Sequence, residues 1–380
     1  MRYLFFILTI ALVLFACNED VEKTNTDQIK KILPHDKFDL PAIENLELNP
    51  SDLFFHHSRQ QISFIDQVNS SLYIYDYATR KLINSHRFQI EGPEGLGKYN
   101  RLAHFLSDDG NVYIYNSYSN RILEYNHNFT KVATFLARFE DTQPNKAFPN
   151  PRNLKPLIVY DQTAYLMGIS TGFEIHEDQT KVKLFTKVQL ENNEVTFDLS
   201  RPAIYNQGQW GILMMYNNFF DFDSKNKRLI CSFPIDHNIY FYDLETQLIK
   251  KQSLPIRIFP EEFKPFEKVD RGLQLSEKEK AKHYSYTHPS YYAILYDPYK
   301  KVYYRFGTPR LTEDEYQSNE RLNLIVEIFD ENFDSLGIFE FPKEYNLVYS
   351  CIFISPEGIN INTVPTEEGV ITFYQFNPLL

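Results

Sequence analysis

The chain has 380 residues and a formal charge of −11, and 43% of it is hydrophobic, with 32 Phe and 27 Tyr against only 13 Gly and one Trp. An apolar fraction of that size excludes a wholly disordered chain. The acidic balance argues against general nucleic-acid binding or docking on anionic lipid, and the aromatic load favours strands.

The N-terminus reads as a targeting segment. Arg2 supplies a minimal positive region, and the apolar run Tyr3–Phe15 is too short to span a bilayer comfortably as a helix. It ends in Leu14-Phe15-Ala16-Cys17, which resembles the lipobox of bacterial lipoproteins, with Phe15 departing from the small or β-branched residue usual there. The resemblance implies a signal peptide over 1–16 and lipidation at Cys17. Asn18-Glu19-Asp20 resembles the surface-export signal of lipoproteins from Bacteroidota-type bacteria. The expected location is the cell envelope, as an outer-membrane lipoprotein open to surface exposure, touching the membrane through its anchor only. Polar residues 17–35 suit a flexible tether.

From residue 36 onward the chain alternates short apolar runs with Asn, Asp, Ser and Gly turns, the signature of hairpin-linked strands. Leu102–Leu106, Val112–Tyr115, Ile122–Tyr125 and Val132–Leu136 make one four-strand unit, a β-propeller blade. A preceding blade uses Leu53–Phe55, Ile62–Ile65, Leu72–Tyr75 and Leu82–Phe88. The third takes Leu157–Tyr160, Ala164–Met167, Phe173–Ile175 and Val182–Phe185. The fourth takes Phe219–Phe222, Leu229–Phe233, Ile239–Tyr242 and Leu248–Ile249. The fifth takes Tyr292–Tyr296, Val302–Phe306, Leu324–Phe329 and Leu336–Phe339. The sixth, Cys351–Ile354, Ile359–Ile361 and Val370–Tyr374, stops one strand short, and Phe38–Leu48 is available to supply it. The expectation is an all-β six-bladed propeller over 36–380, its ring closed by an N-terminal strand, with no exposed sheet edge left at the seam.

Internal repeats support this. Tyr125-Asn126-His127-Asn128-Phe129 returns as Phe329-Asp330-Glu331-Asn332-Phe333, and Tyr73–Thr79 returns as Tyr240–Thr246. Val112 and Ile114 face one way and Tyr113 and Tyr115 the other, so the strand is apolar on both faces, as stacked blades require. A large β-sandwich would alternate more cleanly. Ser276-Glu277-Lys278-Glu279 reads as a capping box opening one short helical insertion over Glu277–His283. That insertion lies in the Pro255–Pro289 connection. Glu91–Arg101, Arg138–Asn153, Glu191–Asn218 and Phe341–Tyr349 are the other long connections, all expected on one face. Cys231 and Cys351 fall in non-adjacent blades and read as two buried thiols.

The lipobox, the tyrosine-rich blades and Glu91-Gly92-Pro93-Glu94-Gly95-Leu96-Gly97 together resemble a family of six-bladed propeller lipoproteins of Bacteroidota-type bacteria, known as a domain of unknown function. Asn116–Ile122 is similar to the core of NHL-type blades, in that blade alone. The family resemblance implies the fold and an envelope location, and no catalytic residues.

Chemical motifs are sparse. Gly168-Ile169-Ser170-Thr171-Gly172 matches G-x-S-x-G, but a strand and not a helix follows it. Asp221-Phe222-Asp223-Ser224-Lys225 lacks the glycine and final glutamate of a calcium loop, and His56-His57, His283 and His288 lack zinc spacing. No cofactor or metal is implied. Arg101, Arg152, Arg201, Tyr205, Trp210, Tyr291 and Tyr292 fall on the elaborated face, where Arg and aromatics could grip a small molecule, glycan or protein. Trp210, flanked by Gly208 and Gly211, is the strongest of these. The expected function is a ligand- or protein-binding module. The alternative is a glycan hydrolase or lyase using a carboxylate pair in the funnel.

Overall fold

A computed structural model of the chain describes residues 29–41, 53–137, 147–169, 178–255, 257–259, 262–266, 277–364 and 370–379. The signal segment, Cys17, Asn18–Asp20, Ser276 and residues 170–177 lie outside them.

Two strands precede the blades, β1 (Lys30–Lys31) and β2 (Asp36–Pro41). Blade one is β3 (Leu53–His56), β4 (Gln61–Asp66), β5 (Ser71–Asp76) and β6 (Leu82–Arg87); blade two is β7 (Leu102–Leu106), β8 (Val112–Asn116), β9 (Arg121–Tyr125) and β10 (Lys131–Leu136). Blade three holds β11 (Phe148–Pro149), β12 (Ile158–Tyr160), β13 (Thr163–Ile169), β14 (Lys183–Gln189) and β15 (Val195–Ser200). Blade four is β16 (Phe219–Asp223), β17 (Arg228–Ser232), β18 (Ile239–Asp243) and β19 (Ile249–Gln252). Helix α1 (Lys278–Thr287) then leads to blade five, β20 (Ser290–Asp297), β21 (Val302–Thr308), helix α2 (Glu313–Gln317), β22 (Ile325–Phe329) and β23 (Ser335–Glu340). Blade six is β24 (Leu347–Ser355), β25 (Gly358–Thr363) and β26 (Val370–Phe376). These make six sheets whose neighbours are antiparallel, β1 excepted.

Ring closure follows the sequence reading. β2 lies antiparallel beside β26, Phe38 opposite Phe373 and Leu40 opposite Ile371, and completes blade six. Phe38 and Leu40 are buried between blades six and one. The end of the segment read as tether also joins the ring: β1 runs parallel to β23 with Lys30 opposite Phe339, and Ile32 is buried between blades five and six.

The core is divided among the blade interfaces. Ile114 packs with Leu72 and Ile74 of blade one, while Tyr113 and Tyr115 of the same strand pack with Ala164 and Leu166 of blade three. Each inner strand thus feeds two interfaces, which is why its residues are apolar on both faces.

The turns explain the scarcity of glycine. Asp66, Asp76, Asn116, Asp223, Asp243 and Asp297 each end a strand and accept backbone N–H groups two or three residues on. The fourth residue after each, Ser70, Arg80, Asn120, Lys227, Gln247 and Lys301, has φ between 49° and 60°. The side-chain acceptor holds the turn, so a residue with a side chain is tolerated where glycine would be the default. A second turn class, Asn126 and Asp330 with Phe129 and Phe333 at positive φ, is the other sequence repeat made visible.

Two expectations are corrected. In blade three the Val182–Phe185 run belongs to the third strand, β14, and the fourth is β15, which lay hidden inside the Glu191–Asn218 connection. The helical insertion extends to Thr287, and Glu277 at its start makes no side-chain cap. The capping box read at Ser276 lies outside the described residues; α2 carries one, where Thr312 and Glu315 bond reciprocally.

Candidate functional site

The first strands of successive blades pack side by side around the axis, β16 on β20, β20 on β24, β24 on β3 and β3 on β7. A tight turn crosses the mouth of this channel. Arg152 and Lys155 exchange backbone hydrogen bonds of 2.9 and 3.0 Å. The Asn153 amide at the tip donates to Leu53 O at 2.9 Å in blade one and accepts Ile352 N–H at 2.9 Å in blade six. Leu154 is buried among Phe219, Leu295 and Ile352, and its carbonyl faces Phe220 N–H in blade four. The axis is therefore corked at this end.

Arg101 and Arg152 stand at the rim, half-buried and exposed respectively. Lys155, on the same turn as Arg152, is only 4% exposed. Burial first, then the charges of Arg152 and Arg101, lower its ammonium from the usual lysine range to about 7. Tyr292 is half-buried at the same rim, its ring 5.4 Å from Phe219.

Arg201, Tyr205 and Trp210, expected among the ligand-binding residues, are packed inside the fold. They are 2%, 2% and 0% exposed. Two 3-10 turns, Ala203–Gln207 and Leu213–Tyr216, fold their connection back onto blades three and four. The Arg201 guanidinium lies 5.2 Å from the Tyr205 ring and 5.3 Å from that of Tyr216. The Tyr205 hydroxyl donates to Met215 O, and the Trp210 backbone N–H donates to the Tyr216 hydroxyl at 3.0 Å. Gly211, at φ +90°, lies where a Cβ would collide with Ser285 of α1. Tyr291 is likewise packed, beneath the guanidinium of Arg305 at 3.4 Å. Arg305 donates to the carbonyls of Asp236 and His237 at 2.6 Å, a buried clamp between blades four and five that no sequence pattern announced.

Helix α1 rests on this packed connection through Ile212 N–H donating to Ser285 Oγ. The shorter α2 leans on α1: His283 pairs with Glu313 at 2.7 Å and meets the edge of the Tyr316 ring. Lys343, from the next connection, binds Glu315 and Glu320 at 3.1 Å each. These contacts put the insertions of blades four, five and six on one face, as propeller connectivity demands. They frame an open groove of about 550 Å³ lined by Phe266, Glu279, Lys280, His283, Tyr284, His288 and Tyr316. The His288 ring stacks on Tyr284 at 3.8 Å. Sequence reasoning singles out only the two histidines, because the aromatic walls come from separate parts of the chain.

Acidic chemistry is limited. Asp221 on β16 accepts Tyr296 N–H at 2.8 Å, and burial, aided by the charge of Asp223, raises its carboxyl to about 6. Asp223 itself is engaged by Arg228 at 2.8 Å and by the Tyr303 hydroxyl at 2.5 Å. Among the described residues no three His, Cys, Asp or Glu side chains gather as a metal site. Of the G-x-S-x-G stretch, Gly168 and Ile169 end β13, and Ser170–Gly172 lie outside the described residues. Cys231 and Cys351 are buried in different clusters, and no disulfide joins them. The Glu91–Gly97 loop folds onto blade two, where Tyr125 OH donates to Glu94 O and Lys131 N–H to the Glu94 carboxylate.

The family profile described as "Domain of unknown function (DUF4221)" matches residues 48–337. A crystal structure of a member of that family from Bacteroides vulgatus superposes with a TM-score of 0.72 at 19% identity, covering 91% of this chain and 98% of that one. A Bacteroides fragilis protein with an inferred export assignment superposes with a TM-score of 0.52 at 11% identity, over 92% of this chain and 99% of its own. No curated protein sequence matches.

Proposed function

We propose, from the premise that the chain belongs to the DUF4221 family, that it is a lipid-anchored envelope protein whose propeller binds a saccharide in the groove between α1 and α2 without turning it over. The groove carries this reading. A sugar ring has an apolar C–H face and a hydroxylated edge. Phe266, Tyr284 and Tyr316 offer rings for the first, and Glu279, Lys280 and His283 offer hydrogen bonds for the second. The anchor rests on Cys17 and its lipobox-like context, and the inferred export of the Bacteroides fragilis relative supports an envelope or secreted location.

The test uses the single Trp as reporter, since Trp210 adjoins Gly211, which packs against Tyr284. Titrating the protein with a panel of defined oligosaccharides should give saturable fluorescence changes. Tyr316→Ala should weaken the best ligand at least 10-fold, in keeping with about 1.5 kcal/mol for an aromatic contact. Unchanged affinity in a folded Tyr316→Ala variant would remove the groove as the site. Product analysis in the same mixtures addresses the alternative. Cleavage that disappears in Asp221→Asn would make the protein a glycan-degrading enzyme, with Asp221 as a protonated acid on the channel wall.

A further inference from the structure

Three buried polar side chains bridge blades one and two. Ser63 on β4 is 0% exposed, and His56 on β3 and His104 on β7 are each 4% exposed. The Ser63 hydroxyl stands 2.7 Å from His56 Nε2 and 2.7 Å from His104 Nε2. One hydroxyl carries one proton. It donates to one ring and accepts from the other, so the chain is complete only when both imidazoles are neutral and of opposite tautomer. An added proton fits at neither ring. On the ring that accepts from Ser63, it leaves the oxygen between two N–H donors and orphans the hydroxyl proton. On the other ring it buries a charge to which no carboxylate among the described residues is bonded. The neighbouring groups add little relief. His57 and Arg59 act on His56, and Arg152 lines the same recess of about 10 Å³ as His104. The Asp108 carboxylate, just beyond β7, accepts from Ser58. Only a backbone hydrogen bond from His56 to Leu106 favours a charged ring. The Phe54 ring, 4.7 Å from that of His56 and 6.4 Å from that of His104, covers the pair.

We propose that this His–Ser–His chain is an acid-opened latch, which fastens blade one to blade two while both imidazoles are neutral and lets that seam part first when they take up protons. Burial holds His104 down to about 3, and burial with the charge of His104 holds His56 well below the usual histidine value of 6.5. The open seam binds two protons that the closed seam excludes. The latch is therefore fully effective above pH 6.5 and weakens as pH falls from there toward the depressed values. The effect reaches the axis, because β3 also carries Leu53, whose carbonyl holds the Asn153 amide of the cork. The latch lies apart from the groove between α1 and α2 and does not depend on what binds there.

Hydrogen exchange of the full chain between pH 7.5 and 4.5, corrected for the intrinsic pH dependence of exchange, tests this. Peptides covering β3, β4 and β7 should lose protection by about 100-fold per pH unit between pH 6 and 4, the slope for two protons, while peptides from blade four hold theirs. His104→Gln keeps an N–H donor toward Ser63 and removes one titrating ring, so its slope should fall to about 10-fold per pH unit. A measurement on wild-type protein covers the case in which the variant does not fold. Nitrogen-15 spectra of histidine-labelled protein at pH 5 should show two neutral rings of opposite tautomer. Equal loss of protection in all blades overturns the proposal, as does an unchanged slope in folded His104→Gln. Spectra in which either ring is charged at pH 5, or both share one tautomer, also overturn it.

Discussion

Replacing Lys155 with Met should stabilise this protein, and by an amount that depends on pH. The ammonium titrates at about 7 in the fold, and its ordinary value is 10.5. At ~1.36 kcal/mol per pH interval of one, holding it charged costs the folded state about 5 kcal/mol at acidic pH. Partial water access at the rim reduces this, so about 2–5 kcal/mol is expected. The sign follows from proton counts. Between pH 7 and 10.5 the unfolded chain binds the proton that the fold has released, so wild-type stability rises with pH across that window. The full cost is present below 7 and is gone above 10.5. Met keeps the length and apolar stem without the charge. Urea unfolding of both proteins in chloride buffer at pH 6, 8 and 10 is the assay. The gap should be largest at pH 6 and should close toward pH 10. Parallel profiles, or a variant less stable at every pH, would refute the reasoning and make Lys155 a satisfied structural residue.

Two further outcomes follow from the packing. Trp210→Ala should cost about 3–5 kcal/mol in urea unfolding, as expected for a fully buried aromatic residue, and no loss on truncation would mean that the connection does not pack as described. Lys301, at φ +57°, should accept Gly with a gain of up to about 1 kcal/mol, whereas Lys301→Val should lose at least ~1 kcal/mol; equal stability of the two variants would show that the turn readily leaves the left-handed region.

Much of the ring could be read from the chain because each blade repeats a local rule. An apolar strand ends at an Asp or Asn that closes its own turn, and Asp76 and Asp243 were visible as equivalents before their hydrogen bonds were. Closure by the strand containing Phe38 was legible by counting, since blade six lacked one strand. β15 was missed because Val195-Thr196-Phe197-Asp198 carries charge and sits in a long connection. The site was read less well. An Arg or Trp on a loop looks the same in sequence whether it faces solvent or folds under. Arg201 and Trp210 turn inward because the 3-10 turns around them reverse the chain over a core, a tertiary effect with no local code. Lys155, with no motif at all, became conspicuous only through its burial.

The closing sheet also sets an order of events. β2 is made near the start of the chain and its partner β26 near the end, so the outermost strand of blade six exists long before the sheet it completes. Joining segments roughly 330 residues apart costs about 5 kcal/mol of chain entropy by the logarithmic loop law, unless the intervening blades have already folded and brought them near. The economical course is sequential, with blades one to five stacking as they emerge. Asn153 illustrates the delay. Its bond to Leu53 can form early, while its bond to Ile352 waits for the last blade. Until then the same amide leaves the seam half-fastened, and both Phe38 and Phe353 remain uncovered. A chain exported N-terminus first would pass through this open arc on every occasion, so the interval before β26 arrives is when the molecule most exposes adhesive edges to its neighbours.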